Sequence, residues 1–138
     1  MARILAIDYG VKRTGIAVTD PLQIISTGLI TIPSPELIPF LKKYFAEETV
    51  ELIIIGLPKN WDETDTHGTA PAREAIKKIE KAFPQMPLKT VDERYTSKMA
   101  KEAMIEMGMK KMQRRDKKEV DVIAATIMLQ EYMGRTGQ

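Results

Sequence analysis

The chain has 138 residues and a net formal charge of +2, and it contains no cysteine and one histidine. A chain of this length fits one domain with a hydrophobic core, which excludes an enzyme built from two domains. Without cysteine there can be no disulfide and no thiolate metal site, so a bound metal is expected to take mainly oxygen ligands. The sequence has no signal-peptide pattern and no apolar run long enough to cross a membrane, which predicts a cytoplasmic protein.

Three strands followed by a helix are predicted in the first part of the chain. The apolar run 3–8 and two β-rich segments, 15–20 and 23–32, are separated by short turns, which favours an antiparallel meander. A helix with one apolar face is predicted over residues 35–48, because proline is common in the first turn of a helix.

Strands and helices alternate in the predicted second part. The segment 50–56 reads VELIIIG, a continuous apolar run that is typical of a strand buried at the centre of a sheet. The remaining predicted elements are a helix near 72–83, a strand at 88–92, and helices at about 97–107 and 118–133. The order βββαβαβα with an extra helix predicts one α/β domain, residues 1–138, built on a mixed five-stranded sheet.

Acidic residues occur where predicted strands end. Asp8 ends the first strand, where it could bind a ligand or only cap a turn. Asp92 and Glu93 follow the last strand and precede a helix, where acids are also favoured by the helix dipole. Because side chains alternate along an extended segment, these two acids do not easily face one metal ion. Glu93 is the favoured ligand, since its longer side chain reaches further past the strand end.

A fourth acid, Asp121, lies in the apolar segment 120–129 near the start of the last predicted helix. Helical spacing puts it on the same face as Ala125, a face expected to pack on the sheet. Burying a carboxylate costs several kcal/mol unless it is paired or bound to a metal. A metal ligand is therefore one interpretation, and an ion pair with Lys117 or Lys118 is the other.

Carboxylates from separate elements predict a site for the hard cations Mg²⁺ or Mn²⁺, which prefer oxygen ligands. Two such ions about 3.5–4 Å apart can promote hydrolysis of a phosphodiester. Nearby cations would hold the polyanionic substrate. Six of the nine residues in the segment 110–118 are basic, which predicts either a nucleic-acid contact or a loop that is only solvated. The basic residues predicted to contact nucleic acid are Lys12, Arg13, Lys110, Lys111, Arg114, Arg115, Lys117 and Lys118.

Four motifs occur in a fixed order along nearly the whole chain. They are Asp8-Tyr9-Gly10-Val11-Lys12-Arg13-Thr14-Gly15, Gly56-Leu57-Pro58-Lys59-Asn60, Asp92-Glu93-Arg94, and Asp121 followed by Ala124-Ala125. With these motifs the chain resembles the YqgF/RuvX family of Holliday junction resolvase-like, pre-16S rRNA-processing nucleases. The resemblance implies a ribonuclease H-like fold and maturation of the 5′ end of pre-16S rRNA. It also implies a divalent-metal site formed by Asp8, Asp92, Glu93 and Asp121, with Asp8, Glu93 and Asp121 as the catalytic residues.

Several positions refine what the resemblance implies. Asn60 and Arg94 belong to its motifs and join the residues expected to contact nucleic acid. Trp61 stands where the family commonly has methionine, and it either stacks on an unpaired base or covers the edge of the core. Ala124 and Ala125 stand where related junction resolvases carry a further acid, so the site has either one metal ion or two.

Other functions remain open at the level of the sequence. One is a Holliday junction resolvase acting on DNA, and another is a non-catalytic nucleic-acid-binding module whose acids are structural. Actin-like kinases and ATPases also place the pattern D-x-G between antiparallel strands, but they need two domains, which the length excludes. Contacts to the sugar-phosphate backbone leave no residue signature that separates pre-rRNA from branched DNA. A monomer suffices for trimming an RNA end, whereas a two-fold dimer suits a four-way junction.

Overall fold

The computed structural model describes residues 2–57, 69–92 and 117–135. The elements in these ranges are β1 (Arg3–Tyr9), β2 (Arg13–Thr19), β3 (Ser26–Pro33), a 3-10 turn (Ser34–Glu36), α1 (Leu37–Glu47), β4 (Val50–Leu57), α2 (Thr69–Ala82), β5 (Leu88–Asp92) and α3 (Lys117–Arg135). The predicted order βββαβαβα is confirmed, and the helix predicted at 97–107 lies outside the described residues. No helix within the described ranges is long and apolar enough to cross a membrane.

The strands form one mixed sheet with the order β3-β2-β1-β4-β5. β1, β2 and β3 are the predicted antiparallel meander, and β4 and β5 run parallel to β1. The apolar strand β4 is interior, but it lies one place from the centre, which β1 occupies. The reason is that α1 returns the chain to the open side of β1, and β5 then adds outside β4. The strands β1, β4 and β5 finish together, and we call this the carboxyl end of the sheet.

Two strand starts differ from the prediction because of local hydrogen bonds, one strand starting later and the other earlier. β3 begins at Ser26 and not at residue 23, since the Asp20 carboxylate accepts hydrogen bonds from the backbone N–H groups of Ile24 and Ile25, each at 2.7 Å. Gln23 has a φ of 58°, which is turn conformation. β2 begins at Arg13, two residues before the predicted start, because the hairpin closes there.

Helix bounds agree with the prediction to within a few residues. α2 begins at Thr69 and not at residue 72, because Pro71 falls in the first turn, where a helix needs no N–H donor. At α1 the chain first makes a 3-10 turn that includes Pro35, so the α-helix starts at Leu37. α3 extends the predicted helix by one residue at its start and two at its end.

The alternation of side chains divides the core into two clusters, one on each face of the sheet. On the first face, α1 and α2 pack on Leu5, Ile7, Ile16, Val18, Ile53 and Ile55 through Leu37, Leu41, Ala75 and Ile79. On the second face, α3 packs on Ile4, Ala6, Ala17 and Ile54 through Ala125, Met128, Leu129 and Met133. The predicted packing of the last helix on the sheet is confirmed.

Candidate functional site

Asp8 lies near the carboxyl end of the central strand β1 and is half-buried. Ile4 and Ala6, four and two positions before it, belong to the cluster under α3. Side chains alternate along a strand, so Asp8 is on the α3 face of the sheet. Its direct partner on β2 is Gly15, which is buried. The carboxylate therefore lies near the carboxyl end of the sheet, on the face on which α3 packs.

The turn after Asp8 requires glycine at position 10. The Gly10 N–H donates to the Arg13 carbonyl at 2.9 Å, which closes the hairpin between β1 and β2. A Cβ atom at Gly10 would lie 2.6 Å from that carbonyl oxygen, so any larger residue would force the turn open. The turn presents an exposed Lys12 and a half-buried Arg13 directly after Asp8. Two cations predicted to contact nucleic acid thus adjoin the carboxylate along the chain.

Ser34 anchors the same turn from the 3-10 segment. Its backbone N–H donates to the Lys12 carbonyl at 3.0 Å, and its hydroxyl donates to the Gly10 carbonyl. The Thr14 hydroxyl then donates to Ser34 Oγ at 2.8 Å, since the Ser34 proton is already used. Ser34 and Thr14 are both buried. The sequence analysis missed Ser34, for which the only signal was its place between two prolines.

Asp92 is the last residue of β5 and pairs in register with Leu57 at the end of β4. β4 in turn pairs with β1, with Ile55 beside Ile7. Asp8 and Asp92 therefore both lie at the carboxyl end of the sheet, two strands apart. Strand spacing makes this a backbone separation of roughly 10 Å. The structure brings together the backbone positions of these two predicted ligands.

Asp121 lies in α3, one helical turn before Ala125. Along α3, Thr126 contacts β3 at its first residue, where the Ser26 hydroxyl donates to the Thr126 carbonyl at 3.0 Å. Val122, four residues earlier, lies over Gly28, two residues further along β3. Earlier residues of α3 therefore contact later residues of β3. Because β3 runs in the same direction as β1, its later residues lie toward the carboxyl end of the sheet. Residue 121 precedes Val122, at the part of the helix nearest to that end.

The metal site itself stays a prediction. Within residues 2–57, 69–92 and 117–135, no group of three or more His, Asp or Glu side chains could hold a metal ion. The side chains of Asp92 and Asp121, and the whole of Glu93, lie outside the described part of the structure. Outside it as well are Asn60, Trp61, Arg94, Lys110, Lys111, Arg114 and Arg115, and the side chains of Lys117 and Lys118.

A second aspartate, Asp20, directly follows β2 at the opposite end of the sheet and has a structural role. Its carboxylate accepts backbone hydrogen bonds from Leu22 at 3.2 Å and from Ile24 and Ile25 at 2.7 Å each. These bonds, the one from Ile25 above all, lower the pKa of Asp20 below its ordinary value. Turn formation accounts for this acid, and it is no part of the candidate site.

Comparison with known proteins gives a family and a set of full-length relatives. The model of the family described as RuvX, Holliday junction resolvase, matches residues 2–135. A protein from Christiangramia forsetii is 53% identical over 133 residues, which cover 96% of this chain and 98% of the relative. A protein from Flavobacterium psychrophilum is 52% identical over 135 residues, which cover 98% of each chain. Both relatives bear the name "Putative pre-16S rRNA nuclease".

Solved structures identify the fold. RuvC from Thermus thermophilus superposes on the chain with a TM-score of 0.54 and 12% sequence identity. The superposition covers 98% of this chain and 96% of RuvC. Thermus thermophilus RuvC in complex with a Holliday junction substrate superposes with a TM-score of 0.55 and 14% sequence identity. This superposition covers 99% of this chain and 97% of RuvC. The chain therefore has the ribonuclease H-like fold, as the sequence predicts.

Proposed function

The chain belongs to the RuvX family, and on that premise we propose that it is a nuclease that uses a divalent cation to hydrolyse phosphodiester bonds in nucleic acid. The single domain 1–138 carries the whole activity, and the substrate is the precursor of 16S rRNA. The observation that supports the proposal best is the position of Asp8. It is a carboxylate on the central strand, at the end of the sheet where β5 also terminates in an acid.

The donor set suits Mg²⁺ or Mn²⁺. Asp8, Asp121, and Glu93 or Asp92 offer only carboxylate oxygens, the ligands that these cations prefer. When bound, such a cation supplies Lewis acidity to the phosphodiester. Asp8 has one feature that suits a ligand: it belongs to the central strand of the sheet, which is held by a neighbouring strand on each side.

The alternation along β5 favours Glu93 over Asp92 as the ligand. Lys89 Nζ donates to the Tyr132 hydroxyl of α3 at 3.3 Å, and Val91 packs in the cluster under α3. Residues 89 and 91 therefore belong to the same face as Asp8. If the chain continues extended, residue 93 falls on that face and residue 92 on the other. In that case Asp92 does not bind the metal ion, and its carboxylate only adds negative charge near the site.

Positive charge beside the acids would hold the substrate. Lys12 and Arg13 follow Asp8 in a turn that Gly10 and Ser34 fix, so little flexibility is lost when they contact phosphate. The segment 110–118, whose last two residues are the first two of α3, contributes further positive charge. Contacts of this kind position the sugar-phosphate backbone without reading bases.

The relatives favour rRNA as the substrate, since those about half identical over nearly their full length are named for pre-16S rRNA. The description of the family favours a second function, resolution of four-way DNA junctions. We prefer RNA because the relatives are the more specific comparison. An rRNA substrate also agrees with the cytoplasmic location that the sequence predicts.

The test is incubation of the purified protein with a labelled 16S rRNA precursor and with a labelled four-way DNA junction. Each substrate is supplied with Mg²⁺, Mn²⁺ or a chelator. We expect metal-dependent cleavage near the 5′ end of the RNA and little cutting of the junction. Paired symmetric cuts in the junction would instead assign the resolvase function. Binding without cleavage under every condition would mean a non-catalytic binding module.

A further inference from the structure

A small cavity opens at the carboxyl end of the sheet, on the face opposite Asp8. Its volume is about 170 Å³. Its floor includes Leu37 of α1 and Ala75 of α2, buried residues of the cluster between the sheet and these helices. Tyr9, which follows Asp8 directly on β1, lines another side and is half-buried. The cavity and the candidate metal ligand are therefore on opposite faces of one strand end.

The rim of the cavity carries positive charge. Lys78 of α2 lines the opening and is exposed. The backbone of Lys12, which is also exposed, adjoins the lining, because its carbonyl accepts the N–H of Ser34, a further lining residue. Glu36, the acid on the 3-10 turn, is exposed and is not among the lining residues. Most of the lining side chains are thus apolar or aromatic, and Lys78 adds a positive charge at the opening.

This combination suits a nucleotide, with a flat ring inside and phosphates at the rim. The size selects the ring, since a cavity of about 150 Å³ holds one benzene molecule. A volume of about 170 Å³ therefore accommodates the single ring of a pyrimidine more completely than the fused rings of a purine. The polar group at the wall adds little selectivity, because Ser34 Oγ already donates to Gly10 and accepts from Thr14.

We propose that this cavity binds one pyrimidine base of a single-stranded nucleic acid whose backbone crosses the carboxyl end of the sheet to Asp8. The proposal rests on the proposed function and adds a determinant of substrate specificity. Because Tyr9 and Asp8 are consecutive residues, a base held against Tyr9 fixes the register of the strand relative to Asp8. Cleavage should therefore occur at a set distance from a pyrimidine.

The test measures binding of the full chain to labelled oligouridine and oligoadenosine in chelator, so that cleavage plays no part. The parent should bind oligouridine more tightly, although adenine stacks more strongly and general surface stacking would favour oligoadenosine. Ala75→Leu fills the floor and should weaken oligouridine binding by about 5- to 100-fold, the range expected for losing one stacked base, with oligoadenosine unaffected. Thermal unfolding of this variant checks that it remains folded.

A second pair of variants needs no change in the core. Lys78→Glu places a negative charge at the rim and should weaken binding of both oligonucleotides. Its matched control is Lys77→Glu, an exposed residue next to it on α2 that does not line the cavity. The control carries the same change in net charge, so only the excess loss in Lys78→Glu reports on the rim.

Equal affinity for the two oligonucleotides in the parent, or an oligouridine preference that persists in Ala75→Leu, would overturn the proposal. Displacement by uridine monophosphate at matched concentration would also overturn it, because the cavity would then serve a free nucleotide. If neither oligonucleotide binds, the proposal of a nucleic-acid substrate and the proposal of a base-binding cavity are both wrong. If the uridine preference appears and Ala75→Leu removes it but no substrate is cleaved, the cavity stands and the nuclease function fails.

Discussion

Two aspartates lie where neighbouring strands end, Asp8 near the end of β1 and Asp20 directly after β2, and their surroundings differ. Asp20 is engaged by three backbone N–H groups in the turn that follows β2. Asp8 lies at the other end of the sheet, opposite Gly15 and before a turn that carries Lys12 and Arg13. Asp20 caps a turn, which is also the alternative that the sequence left open for Asp8. Because Asp20 lies at the other end of the sheet, it is a control for experiments on Asp8.

The stability of the folded chain in acid should depend on the ionised carboxylate of Asp20. Its pKa is lowered in the folded chain by the Ile25, Ile24 and Leu22 N–H groups, so its stabilising effect is complete above the ordinary value of 3.8 and is lost as the pH falls through the lowered value. Asp20→Ala should therefore be less stable than the parent at neutral pH, and the difference should shrink below that value. Urea unfolding of both proteins across a pH series measures it. A difference that stays constant into acid would contradict the assignment.

Removing the charge of Asp121 should leave the chain folded but abolish cleavage. If it shares a site with other carboxylates, Asp121→Asn removes like-charge repulsion, and stability should be unchanged or raised by up to about 1 kcal/mol. Cleavage should be lost. Denaturant unfolding and turnover on the same preparation test both parts, and undiminished turnover would remove Asp121 from the site.

At the scale of elements, the seating of α3 depends on Gly28 of β3. A Cβ atom at this position would collide with Val122 Cγ1 and approach Thr126 Oγ1 to 3.1 Å. Gly28→Ala should cost about 1–3 kcal/mol of unfolding free energy, the usual range for overpacking. Because α3 carries Asp121, cleavage should fall as well.

The matched control for this change is Gly134→Ala, also on the α3 side of the molecule. Nothing lies within 4 Å of a Cβ atom there, so alanine in this helix should be neutral or stabilising by up to about 1 kcal/mol. Adding Val122→Ala to Gly28→Ala removes the colliding methyl group and should restore much of the loss. Equal destabilisation by both glycine substitutions would mean that helix seating is not the cause.

The basic segment 110–118 should contribute charge to nucleic-acid binding. Each phosphate contact releases counterions, so changing Arg114 and Arg115 to alanine should flatten the salt dependence of binding by up to about two units of slope. The effect should be similar for unrelated sequences. Binding isotherms of the double variant and the parent across a salt series decide the matter. Superimposed lines would leave the segment as a solvated loop.

Elements were predictable from the sequence where local patterns act alone. The apolar strands β1 and β4 and the apolar face of α3 follow from periodicity. The start of β3 does not, because residues 23–25 have strand-like composition yet Asp20 captures two of their N–H groups. Competition between a side-chain acceptor and the ladder is decided by geometry that composition does not contain.

At the scale of the whole molecule, the parallel direction of β1, β4 and β5 is what gathers the acids at one end. The sequence suggests this through strand ends at Asp8 and Asp92, and the registers of the sheet confirm their common end. The cavity proposed to bind a pyrimidine could not be predicted, since Tyr9, Ser34, Ala75 and Lys78 meet only through tertiary packing. In our proposals, Asp8 and this cavity both act at the carboxyl end of the sheet.

The most direct test of this view is the metal dependence of rRNA-precursor cleavage by the parent, Asp8→Asn and Asp20→Asn. The parent and Asp20→Asn should cleave alike with Mg²⁺ or Mn²⁺ and not at all in chelator. Asp8→Asn, although folded, should be slower by more than about 100-fold at any metal concentration, because it loses a ligand and not a supporting contact. Cleavage that persists in chelator, or an Asp8→Asn variant as active as the parent, would contradict a metal-dependent nuclease site at this end of the sheet.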